Sequence, residues 1–117
     1  MISNFEFADN VIGITINSDI DDELMKKLIS EVSAKMEAHD KVSLFCELQE
    51  GNKLSFKAFL RNLKFNMEHR GEFYKVAVVT DQSWIKNAFY FKDLITAADI
   101  KIFNNKRRLE ALSWIAH

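Results

Sequence analysis

Residues 74–79, YKVAVV, are apolar at almost every position. A run this short and this apolar reads as a β-strand covered on both faces, since a half-exposed strand alternates apolar and polar side chains. Such a strand needs a layer on each side. Its surroundings supply helical patterns, so the chain points to an α/β fold with a mainly parallel sheet.

The remaining segments fit that frame. Phe5 and Phe7 alternate with Ser3, Asn4 and Glu6, as in an edge strand. Asp9-Asn10 makes a turn, and Val11, Ile12, Ile14 and Ile16 complete a hairpin. Ser18 or Asp19 is a candidate cap for a helix carrying Met25, Leu28, Ile29, Val32 and Met36. Val42, Leu44, Phe45, Cys46 and Leu48 form a third strand. Ser55 suits the cap of the next helix, whose inward stripe is read as Phe56, Phe59, Leu60, Leu63 and Met67, with Gly71 ending it. An aromatic helix follows the 74–79 strand. Ile100, Ile102 and Phe103 form a fifth strand, and Asn104 or Asn105 opens a last helix. The expectation is one domain over 1–117: a five-stranded, mostly parallel sheet with an antiparallel N-terminal edge strand and four helices.

Composition narrows the function. Of 117 residues, 16 are Lys or Arg and 17 are Asp or Glu, a balance that leaves no footprint for nucleic acid. Apolar residues make up 48%, enough for a core of its own. Cys46 is the single cysteine, which suits a reducing cytosol. The start, MISNFEFADN, shows no secretory pattern, and no apolar stretch approaches the ~18 residues of a membrane span. The expected location is cytoplasmic.

Catalytic spacing is missing. There is no phosphate-binding glycine loop, no G-x-S-x-G and no H-E-x-x-H. His39, His69 and His117 each fall near an element end, where they read as surface groups rather than metal ligands. Cys46 sits in a buried strand, a poor setting for a nucleophile. Glu47 and Asp81 lie at the strand ends where α/β sheets usually bind ligands, and Asp81 also reads as a helix cap. No enzyme activity, cofactor or metal is expected. Lys106, Arg107 and Arg108 open the last helix, against the helix dipole, and Lys101 adds to the patch. They form either an anion-binding patch or a solvated surface.

The best functional lead is a surplus of large apolar side chains. On a helix through residues 84–95, Trp84, Ala88, Phe91 and Ile95 share the face toward the sheet, leaving Ile85, Phe89 and Tyr90 elsewhere. On the preceding helix Phe65 falls opposite the inward stripe. Three arrangements would cover Phe65, Ile85, Phe89 and Tyr90: packing within one subunit, contact with a second copy, or the lining of a pocket for an apolar ligand.

The ending of the chain carries a family resemblance. KVAVVTD, an aromatic helix, ADIKIF and RRLEALSWI follow one another, with Phe103, Glu110, Ala111, Leu112, Trp114 and Ile115 in the closing motif. This resembles the SpoIIAA-like families, which join the STAS and Sec14-type groups. The resemblance implies successive βα turns with an antiparallel first strand. It also implies a non-catalytic regulatory or interaction role, commonly as a bacterial homodimer acting with another regulatory protein. The Sec14-type side implies the alternative, a small carrier or sensor of a lipophilic, lipid-like molecule. Anti-sigma-factor antagonists of this kind carry a phosphorylated serine in Asp-Ser-Ser/Thr-Gly. Here that place reads ELQEGNKLSF, where Ser55 is the nearby hydroxyl and no Asp-Ser pair precedes it. Capping accounts for Ser55 better than phosphorylation does.

Overall fold

The structure, a computed structural model, describes residues 2–8, 10–88 and 98–117. Its strands are β1 (Ile2–Ala8), β2 (Val11–Ile16), β3 (Val42–Leu48), β4 (Phe73–Val79) and β5 (Asp99–Phe103), side by side in chain order. The α-helices among the described residues are α1 (Asp22–Met36), α2 (Phe56–Glu68), α3 (Ser83–Ala88) and α4 (Arg108–Ala116). A 3₁₀ turn at Asn105–Arg107 leads into α4.

The expected unit of five strands with an antiparallel edge needs correcting. Among the described residues, the α/β unit is a four-stranded, all-parallel sheet, β2 to β5, with four α-helices. Only these strands are joined by βα connections. β1 is attached to β2 by a tight hairpin and pairs with it antiparallel, as an arm ahead of that unit.

Sequential strand order decides where the helices lie. Right-handed crossovers between neighbouring parallel strands all fall on one face. Accordingly Met25, Leu28 and Val32 of α1, Phe65 of α2 and Ile85 of α3 share one core with Ile12, Ile14, Ile16, Val76 and Ile100. α4 follows the last strand and is free of that constraint. It covers the opposite face, where Ala111 and Ile115 pack on Phe45, Ala77, Val79 and Phe103.

Local chemistry fixes the helix ends. Asp21 caps α1, its Oδ1 accepting from Leu24 N at 2.8 Å, so the cap lies two residues beyond Asp19. Ser55 caps α2, its Oγ accepting from Ala58 N at 3.1 Å. Gly71 adopts φ 92°, the left-handed conformation that lets the chain turn from α2 into β4. The entries to α1 and α2 are tied together: Ile20 N donates to Lys53 O at 2.7 Å and Ser55 N to Ile20 O at 2.9 Å.

The faces of two helices differ from the expectation. On α2, Phe59 faces inward as expected, but Phe65 joins it, while Phe56, Leu60 and Met67 are exposed. On α3, Ile85 is buried and Trp84 lies at the surface.

Candidate functional site

Between the sheet and the layer of α1, α2 and α3 lies a cavity of about 120 Å³. Its floor is the middle of the sheet. Leu44, Cys46 and Val78 occupy central strands, yet each is only partly buried. Met25 and Leu28 contribute from α1, Phe59 and Phe65 from α2, and Ile85 from α3. Among the described residues lining it none is charged, and the polar ones are Cys46, Asn62, Asn66 and Thr80.

The polar lining is largely engaged. Thr80 Oγ1 accepts from Gln82 N at 3.1 Å. Asn66 Nδ2 donates to Asn62 Oδ1 at 2.8 Å and to Asn62 O at 2.9 Å. Burial pushes the Cys46 thiol up to about 11, and the neighbouring Glu47 charge adds to the effect. At neutral pH the sulfur keeps its proton and is a poor nucleophile.

Asp22 links the two helices above the cavity. Its carboxylate accepts from Arg61 Nε at 2.5 Å and Nη2 at 3.1 Å, bridging α1 and α2. That hydrogen bonding, helped by the charges of Arg61, Lys57 and Lys26, holds the Asp22 carboxyl below its ordinary range. Phe59 of α2 meets Trp84 of α3 edge to face, with centroids 5.2 Å apart.

Of the four residues singled out by the aromatic surplus, Phe65 and Ile85 come together on the cavity wall. Both are buried within one subunit, which removes them as surface contacts to a second copy. Phe89 and Tyr90 lie outside the described residues. Sequence reasoning missed Asn62 and Asn66, because asparagine on a helix reads as a solvated residue. The signal was their spacing of four beside Phe59 and Phe65.

Lys101 lies on β5, and the three cations that open the last helix have different surroundings. Arg108 Nε donates to buried Glu47 Oε1 at 2.7 Å, and its guanidinium lies over the Phe45 ring. Arg107 pairs with Glu110, whose carboxyl is held low mainly by that hydrogen bond. Lys101 sits 5.3 Å from the Trp114 ring centroid, and Lys106 is exposed. Asp81 does not cap α3; its Oδ1 accepts from Asn105 N at 2.9 Å.

The histidines stay apart. His69 Nδ1 lies 2.6 Å from Glu72, His117 Nδ1 lies 2.7 Å from Ser113 O, and His39 is exposed. No group of three metal-binding side chains occurs among the described residues. No helix there is long and apolar enough to cross a membrane.

Comparison with known proteins places this architecture. The chain is similar to a crystal structure of an uncharacterised protein of the DUF3478 family with a SpoIIAA-like fold, from Shewanella loihica PV-4. The two share 19% identity and a TM-score of 0.71, over 98% of this chain and 92% of the other. No curated protein matches the chain. The SpoIIAA-like family model matches residues 11–116, from the first residue of β2 to the last of α4, leaving β1 outside. Domains of this STAS-type kind are generally regulatory and non-catalytic. The chain belongs to the SpoIIAA-like family.

Proposed function

We propose that this regulatory domain senses or carries a small lipophilic molecule held in the cavity beneath α1, α2 and α3. The observation that carries the reading is the partial exposure of Leu44, Cys46 and Val78 at the centre of the sheet, where a closed core would hide them. An empty apolar void of this size costs about 3 kcal/mol, a large fraction of a small domain's stability. A guest recovers that loss. Apolar cavities of about 150 Å³ stay dry and take benzene-sized molecules, which sets the scale of the buried part of the ligand. The test is a titration of the isotope-labelled chain with toluene, followed by NMR. Saturable shifts at Cys46, Val78 and Phe65 are expected. Shifts that never saturate, or that scatter over the surface, overturn the reading.

A second reading, docking to another copy or to another regulatory protein, is supported by the outer face of α2. Phe56, Leu60 and Met67 are 67%, 47% and 59% exposed. With Leu63 they follow steps of four, three and four, the seam spacing of paired helices. Sedimentation tests it: Leu60→Asp converts a dimer into folded monomers, and a wild-type monomer at tens of micromolar removes the homodimer.

A further inference from the structure

We propose that Asn62 is the polar anchor of the cavity, and that its side-chain amide donates to a carbonyl oxygen on a neutral, otherwise apolar ligand. The proposal rests on the reading of the cavity as a ligand site and adds the chemistry that site selects.

The orientation of the amide follows from its neighbour. Asn66 Nδ2 meets the backbone oxygen of Asn62 at 2.9 Å, and a carbonyl oxygen only accepts. The Asn66 atom is therefore the nitrogen. The Asn62 atom 2.8 Å from the same nitrogen must then be Oδ1. This leaves Asn62 Nδ2 as the free end, and its partner is the Met25 thioether at 3.9 Å. Sulfur of this kind is a weak acceptor. A donor on the wall of an apolar cavity, satisfied among the described residues only by a thioether, is underused.

Met25 also lines the cavity. Its unbranched side chain rearranges easily, so a guest's oxygen can take the place of the sulfur. Charge decides the rest. An ionised carboxylate or phosphate entering the cavity would meet no cationic side chain among the described lining residues, and a buried unpaired charge is strongly disfavoured. A ketone, ester or amide carbonyl satisfies the donor without that penalty.

Two probes of the same shape separate the outcomes: acetophenone, and isopropenylbenzene, in which a methylene group replaces the carbonyl oxygen. Both are titrated by NMR into the wild-type chain and into Asn62→Leu. The affinity ratio of acetophenone to isopropenylbenzene should fall about fivefold in the variant, the size of one net hydrogen bond. An unchanged ratio, with both probes still binding, overturns the anchor and leaves the ligand cavity standing. Saturable binding of neither probe to the wild type overturns both. A readout that needs no variant is the Asn62 side-chain amide resonance in the wild type. It should move with acetophenone and stay with isopropenylbenzene; equal movement overturns the anchor.

Discussion

Arg108 of α4 holds Glu47 of β3 through a 2.7 Å hydrogen bond on the sheet face opposite the cavity. Glu47 is 4% exposed, and Thr15 Oγ1 lies 3.4 Å from the same carboxylate oxygen. Removing only the cation leaves a buried charge with little compensation. Arg108→Met should cost about 1–3 kcal/mol, below the loss for fully enclosed pairs because the guanidinium is partly solvated. Adding Glu47→Gln should restore most of it. Urea unfolding of the two variants measures the difference; equal destabilisation would mean that the pair is not what stabilises the contact.

Alkaline stability follows from Cys46. Its folded pKa is raised from 9.0 to about 11, so the folded state binds the proton more tightly than the unfolded chain. The associated stability is fully present below the unfolded pKa of about 8.5–9 and is lost as pH rises toward about 11. The loss amounts to about 2–3 kcal/mol. Cys46→Val should unfold with a flatter profile across that window. Parallel wild-type and variant curves would show that the thiol does not carry the effect.

Cavity filling should trade binding for stability. Val78→Ile places one more methyl group above the floor and should stabilise the chain by about 0.5–1 kcal/mol while weakening toluene binding. Destabilisation by a similar amount would mean that the space beside Val78 is already filled.

The reversal of α2 is open to direct measurement. Phe65→Ala should cost about 3–5 kcal/mol, as for a large core aromatic. Phe56→Ala should change stability by no more than about 0.5 kcal/mol. Chemical denaturation of the pair decides between the two faces, and the opposite ranking would restore the face read from sequence.

That reversal also marks the limit of what the chain shows before its structure is known. Strands β2 to β5 were legible because their side chains alternate or run apolar in short blocks. The Ser55 cap was legible because a hydroxyl stands just before an apolar helix. The face of α2 was not, because two apolar stripes compete on it. Phe56, Leu60, Leu63 and Met67 make the greasier stripe, while the inward one carries Asn62 and Asn66. These asparagines turn inward because Asn66 hydrogen-bonds Asn62, which lowers the cost of burying them. α3, six residues long, is too short for periodicity to choose between Trp84 and Ile85. The cavity itself has no sequence signal, since its walls are ordinary core residues. Sequence spacing did not show that Arg107 and Arg108 pair with separate carboxylates, Glu110 and Glu47.

Strand order has a mechanical consequence. The parallel sheet is a floor whose backbone ladder closes strand to strand, while the helices on the cavity side form a roof held by side-chain packing and by the backbone ties at the entries to α1 and α2. If the cavity takes a guest as proposed, the helices above it would shift and the floor's hydrogen bonds would stay in place. Amide exchange in β3 and β4 should therefore be indifferent to occupancy, and exchange in α2 should report it.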